Sequence, residues 1–323
     1  MNRALERVLV AALFLGVGLP VASAQTYPAK PLRFVIPFSP GGAADASARI
    51  VTRRMSEALG QPVVIDNRGG AGGNLGAELV AQAPADGYTM LYSNVGTTIS
   101  ASLYPKLSYN LLKDFAPVSL IVTTPFLIVV NPSVPARSLR ELVALARSRP
   151  DELTYASSGY GGPSHMAGEL FKSAAGVKIR HIPFKGGGPA ARDVAAGRVD
   201  IYIGSVSSNQ AFLSTGRMRA LAICSNRRSP ILPDLPTATE AGVPGLEVGT
   251  WFGVSVPAGT RPAIIQRLHA EFVAALKTPE ARRALEKLAF EIIGSTPQEY
   301  GAFLRQEIAK YAKVIREQNI RLQ

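Results

Sequence analysis

Cysteine is almost absent from this chain. Its 323 residues include one, Cys224, so no disulfide can form within it. That cysteine lies in the apolar run from Arg219 to Ser225 and reads as a small buried side chain rather than a nucleophile. Histidine is scarce too. His165, His181 and His269 show no metal-ligand spacing with one another or with Cys224, and no metal or cofactor is expected. Aromatic residues make up 7% of the chain, with a single tryptophan, and none interleaves a Lys/Arg run as nucleic-acid binders require. Acids are outnumbered, 23 Asp+Glu against 35 Lys+Arg, for a net charge of +12. Spread out as they are, these bases fit a surface that meets small anions.

Several motifs are missing as well. No Walker lysine pattern occurs. Gly70, Gly72 and Gly76 give G-x-G-x-x-x-G, one residue too long for a dinucleotide fingerprint. No Gly-x-Ser-x-Gly elbow exists, because Ala156 stands two residues before Ser158. No carboxylate pair stands at catalytic spacing. Beyond residue 24, no segment reaches the roughly 18 apolar residues of a membrane span.

What is present begins with a leader. Arg3 and Arg7 precede an apolar run from Val8 to Val17, and Ala22-Ser23-Ala24 supplies small residues for cleavage. Residues 1–24 are therefore expected to be a secretory signal peptide. The residue after the cut is Gln25, so no cysteine is offered for a lipid anchor. Losing Arg3, Arg7 and Glu6 takes the net charge from +12 to +11. The remaining length suggests two domains.

The mature chain alternates strands and helices, with short Gly-rich turns between them, which predicts a mostly parallel α/β sheet. The clearest unit runs from Leu32 to Leu59. Leu32–Phe38 is apolar apart from Arg33, then Ser39-Pro40-Gly41-Gly42 breaks the pattern. Ala44, Ala48, Val51, Met55 and Leu59 follow at helical spacing. Asp45 is a candidate N-cap or first-turn acid. Strand, Gly-rich turn and helix start together make an anion cradle, since unpaired N–H groups and the helix dipole point at one spot. The plain alternative is a tight turn that binds nothing. The pattern recurs after Pro62–Asn67 (Arg68 to Asn74), after Leu153–Ala156 (Ser157 to His165), and after Ile179–Phe184 (Lys185 to Gly188). Another strand, Val199–Gly204, ends at Ser205. Phe115–Asn131 reads as two apolar strands, separated by Thr123-Thr124-Pro125, that cross from one lobe to the next. Arg219–Ser225 reads as the return crossing, and 227–245 as a Pro-rich connector. Trp251 reads as hinge or core packing. Anion-binding turns on both sides of the crossing would face each other in a cleft that closes about a hinge.

Seven stretches carry a family resemblance: YPAKPLRFVIPFSPGGAADASARIV, VVIDNRGGAGGNLGAELVA, DGYTMLYSNVGT, YPKLSYNLLKDFAPVSLI, LTYASSGYGGPSHMAGELF, HIPFKGGGPAARDVAAGRVDIYI and RSPILPDLPTATEAGVPGLEVGTWFGVSVPAGT. In order and extent they resemble the Bug-type receptors, the periplasmic substrate-binding proteins of tripartite tricarboxylate transporters. The resemblance implies a type II periplasmic binding-protein fold, with two α/β lobes joined by two crossing segments that close like a Venus flytrap. It implies a first lobe in 25–123, a second in 124–225, and connector plus the rest of the first lobe in 226–323. It also implies a small carboxylate ligand, no cofactor, integral-membrane transporter partners and a monomer in the periplasm.

Carried over by position, the resemblance assigns ligand contacts to Phe38, Ser39, Gly41, Gly42, Ala43 and Asp45 in the first turn, and to Gly72 and Gly73 in the second. In the carboxylate turn it assigns Ser157, Ser158, Gly159, Ser164 and His165. Lys185, Gly186, Gly204 and Ser205 complete the set. His165 has an alternative role packing at the helix start. Two positions depart from the family. Ala44 stands where a hydroxyl residue is frequent. Gly204 stands where many members carry an Asp that could pair a ligand ammonium, which argues against an amino-acid ligand. A receptor serving a sensor kinase, and a secreted enzyme built on the same lobes, are the functional alternatives.

Overall fold

The computed structural model describes residues 27–317 apart from residue 105; the expected signal peptide lies outside the described residues. β1 (Leu32–Ile36) is almost wholly buried and pairs in parallel with both β2 (Val63–Asn67) and β3 (Thr89–Asn94). Its apolar run suits a central parallel strand covered on both faces. The strand order is β2, β1, β3, β9 (Gly249–Pro257), β4 (Phe115–Val130), β7 (Ile201–Ser205), β5 (Thr154–Ser157) and β6 (Arg180–Pro183). In the second lobe, β5 (Thr154–Ser157) pairs in parallel with β6 (Arg180–Pro183) and with β7 (Ile201–Ser205).

The middle of the sheet is antiparallel, which the alternation of strand and helix did not foretell. β4 is one strand of 16 residues, Phe115–Val130, not two. Phe115 to Pro125 pair with β9 (Gly249–Pro257). From Phe126 onward the partners change to β7 and to β8 (Arg219–Ile223). The change falls beside Pro125, which has no N–H to give a ladder. β8 stays in the second lobe, so it is not the return crossing. The chain returns at Val248, which accepts the Phe126 N–H at 3.1 Å and leads directly into β9. Ala238, Ala241, Val243 and Leu246 pack in the second lobe's core with Phe171 and Ile203, whereas the sequence reading grouped 226–323 with connector and first lobe.

Helices cover both faces. α1 (Ala43–Leu59) ends at Gly60, whose φ of 63° gives a left-handed cap that glycine adopts without strain. α2 (Asn74–Ala81) follows the second Gly-rich turn. α3 (Val95–Leu103) starts straight from β3. α4 (Leu139–Ser148) is capped by Ser138. α5 (Pro163–Ala175), α6 (Gly187–Ala195) and α7 (Val206–Ser214) follow β5, β6 and β7. α8 (Pro262–Lys277), α9 (Pro279–Glu286), β10 (Glu291–Ile292) and α10 (Pro297–Glu317) close the first lobe. Each lobe has its own core. Phe34, Met90, Phe252 and Phe272 anchor the first, and Phe126, Ile128, Tyr155 and Phe171 the second. Burying one such side chain is worth roughly 1.5–3 kcal/mol. Trp251 belongs to packing: its indole N–H donates to Glu307 at 2.8 Å, tying β9 to α10. Cys224 is buried, and burial pushes its thiol up to about 12. Among the described residues, no helix is long and apolar enough to cross a membrane.

Candidate functional site

The helices that follow β1, β3, β5, β6 and β7 begin where those strands end. In α/β sheets this is the edge that binds ligands. A small cavity lies there, with Phe38, Gly42, Ala43, Ala44 and Asn94 on the first lobe's side. Ser158, Pro163, Ser164, Gly187, Tyr202, Ser205 and Ser208 line it from the second lobe. Phe126, Thr250 and Phe252 come from the crossing strands. The starts of α1, α3, α5, α6 and α7 all contribute to this wall. Each first turn carries N–H groups with no intrahelical acceptor. The N-cap residues of α1, α5 and α6 are Gly42, Gly162 and Gly186, none with a side-chain cap. No side chain covers these first turns, although at α5 the Gly162 and His165 N–H groups bond the Gly159 and Gly162 carbonyls at 2.9 and 3.1 Å, and the dipoles add positive potential. Among the described residues, no Asp, Glu, Lys, Arg or His lines the cavity.

The hydroxyls form a chain. Ser164 Oγ accepts the Ser158 N–H at 2.7 Å and donates to Ser158 Oγ at 2.9 Å. The Ser164 proton is therefore spent, and the Ser158 hydroxyl proton is the one free to reach into the cavity. Ser205 caps α7, accepting the Ser208 N–H at 3.3 Å. Asn94 caps α3, accepting the Gly96 N–H at 2.9 Å. Burial pushes the Tyr202 phenol up to about 12, against the pull of Ser208 and Ser164, so it is neutral at ordinary pH.

Of the residues picked from sequence, Phe38, Gly42, Ala43, Ser158, Ser164 and Ser205 line the cavity. The others stand around it. Ser39 donates its N–H to the Lys185 carbonyl at 3.0 Å, a contact between the lobes. The Gly41 N–H is held by Asp45 at 3.1 Å, and Asp45 is ion-paired to Arg49 at 3.0 Å, so the acid braces its own turn. Gly72 faces the Tyr160 carbonyl across the lobes, so closely that a Cβ there would clash, while Gly73 packs on Phe38 and Pro37. Gly159 lies against Gly72, and Gly186 against Ser39. Gly204 is covered by the Tyr202 ring, which an added Cβ would strike at 2.1 Å.

Ser157 and His165 form a scaffold behind the wall. Ser157 Oγ accepts the Gly159 N–H at 3.1 Å and lies 2.5 Å from His181 Nε2. His165 Nδ1 accepts the Gly161 N–H at 3.1 Å, and its ring stacks on His181 with centroids 4.2 Å apart. Burial, then the neighbouring His165 and Lys172, holds His181 down at about 3. Burial and Lys172 also lower His165, while Glu169 opposes them.

Sequence reasoning missed Asn94, Phe126, Pro163, Tyr202, Ser208, Thr250 and Phe252 as lining residues. Asn94 and Ser208 had a usable signal, since both flank a strand end that opens a helix. Thr250 and Phe252 sit two apart on β9 and share a face, but nothing local tells which face meets the cleft. A larger groove, lined by Pro125, Arg227, Arg228 and Glu247, lies at the crossing strands. No helix start lines it, so the smaller cavity is the better anion site.

Comparison with known proteins agrees with this geometry. Residues 47–320 match the model of the tripartite tricarboxylate transporter family receptor. The chain is 37% identical over 324 residues to protein BugT of Bordetella pertussis, covering 100% of this chain and 99% of that protein. It is similar to the structure of Rpa4515 from R. palustris with adipate, at 38% identity and a TM-score of 0.88, covering 91% of this chain and 99% of the other. It is also similar to MatC from Rhodopseudomonas palustris with bound malate, at 34% identity and a TM-score of 0.86, covering 90% and 100%. Two α/β lobes, two crossings and a dipole-lined cleft are thus the features of a Bug-type solute receptor, and this chain belongs to the tripartite tricarboxylate transporter receptor family.

Proposed function

We propose that this protein is a periplasmic receptor that closes its two lobes over a small carboxylate and presents it to the membrane subunits of a tripartite transporter. One observation carries the reading: five helix starts from both lobes converge on a cavity with no charged side chain on its wall. Such a wall binds an anion by dipoles and neutral donors, without a counter-ion that would hold it too tightly to release. Two relatives at 34–38% identity were solved with adipate and malate, which supports a carboxylate here.

The reading is of binding rather than catalysis. Among the described residues, Tyr202 alone of the lining groups titrates, and its pKa of about 12 leaves it no acid–base role near neutral pH. With no carboxylate on the wall, a ligand ammonium would be buried unpaired, at a cost of several kcal/mol. The ligand is therefore an acid without an amino group.

A thermal-shift panel tests this, because a ligand of the native state raises its stability by mass action. Carboxylic acids should raise the melting temperature while their carboxamides and amino-acid analogues do not. Equal shifts from an acid and its amide would refute the reading.

A further inference from the structure

The Tyr202 side chain occupies an unusual position within the cleft. Tyr202 and Gly204 alternate along β7 and share one face. A Cβ on Gly204 would lie 2.1 Å from Tyr202 Cζ, so the ring lies flat over that glycine. A Cβ on Gly187, at the start of α6, would lie 2.6 Å from the Tyr202 hydroxyl and 3.1 Å from Ser208 Oγ. Two glycines thus clear the path of the ring. The hydroxyl thus lies at the start of α6 beside Ser208 in the first turn of α7, with Ser164 of α5 on the same wall. It sits where the starts of α5, α6 and α7 meet, a focus for negative charge.

We infer that the Tyr202 hydroxyl stands in for a second carboxylate, so that this cleft selects acids with a single carboxylate and an apolar body. The inference rests on the carboxylate-receptor reading above. Burial keeps the phenol neutral, and it fills that corner of the second lobe without adding charge. What remains for a ligand anion is the uncapped first turn of α1, the start of α3 and the free Ser158 hydroxyl. The rest of the wall that a ligand would meet is apolar: Phe38, Phe126 and Phe252. With the Tyr202 ring filling the second-lobe corner, a second carboxylate would be desolvated against those rings.

Calorimetry on the full mature protein decides, using matched pairs: butyrate with succinate, hexanoate with adipate, benzoate with terephthalate. The monoacid of the preferred pair should bind at least tenfold tighter than its diacid. Tyr202→Phe keeps the ring and the fold, and it should cut that preference at least fivefold. Tyr202→Ser, which opens the space, should reverse it, and thermal unfolding checks that this variant is folded. A wild-type protein that prefers the diacid, or a preference unchanged in Tyr202→Phe, overturns the inference while leaving the receptor reading standing. Binding of no acid in the panel would overturn the receptor reading and this one with it.

Discussion

Closure of the lobes can be tested at a single methyl group. Gly188 is the second residue of α6, and it faces the first lobe. A Cβ there would lie 2.7 Å from the Pro40 carbonyl oxygen and 2.8 Å from the Gly41 carbonyl carbon. Both atoms are backbone and both belong to the opposite lobe, so neither can swing aside as a side-chain tip could. Gly188→Ala therefore leaves its own lobe undisturbed, where alanine favours a helix by up to about 1 kcal/mol over glycine. The clash arises only on closure. Overpacking of this kind costs about 1–3 kcal/mol, or roughly 5- to 150-fold in affinity. Calorimetry with the tightest-binding acid should show that loss. The ligand-free melting temperature should stay level or rise, and X-ray scattering with saturating acid should show a larger radius than wild type. Affinity within twofold of wild type, at equal stability, would refute the closed geometry as the binding state.

Three further outcomes follow from the site. Ser158→Ala should weaken acid binding by about 1–3 kcal/mol with little loss of stability; Ser164→Ala should also lower the melting temperature, because it strands the buried Ser158 N–H, and equal melting curves for the two variants would contradict the hydroxyl chain. Asp45→Ala should cost about 0.5–2 kcal/mol of stability through the loss of its first-turn role, while a variant that is equally stable but unable to bind would make Asp45 a ligand contact. His181 has a folded pKa of about 3 against an ordinary 6.5, so below pH 6.5 the unfolded chain takes up the proton first and stability falls as pH drops towards 3. His181→Gln keeps a partner for Ser157 and removes the titration, so its melting temperature should decline less between pH 7 and pH 4; parallel declines would show that this histidine does not drive the loss.

Much of the frame could be read from the residues. The run Leu32–Phe38, broken by Ser39-Pro40-Gly41-Gly42, announced β1, its turn and α1, because an apolar run and a glycine break each have a local cause. The resemblance, carried over by position, picked Ser158, Ser164 and Ser205, which line the cavity. The passage from lobe to lobe was less legible. Thr123-Thr124-Pro125 looks like a strand end, yet Pro125 only marks where β4 exchanges β9 for β7, and a change of partner leaves no trace in a strand's own sequence. Tyr202 was hidden for a related reason. Gly204 was noticed as a missing carboxylate, but the ring that covers it becomes visible only once alternation along β7 is combined with the glycine at 187. Asp45 and His165 were placed correctly in the chain, and their side chains turned out to brace turns rather than face the cavity.

The most direct test of the central claim is a crystal structure of the mature protein with its tightest-binding acid. The carboxylate should lie between the lobes, within hydrogen-bonding distance of the first-turn N–H groups of α1 and of Ser158 Oγ, with no lysine or arginine side chain touching it. A carboxylate held instead by Arg227 or Arg228 in the groove at the crossing strands, or paired to any cationic side chain, would contradict the account.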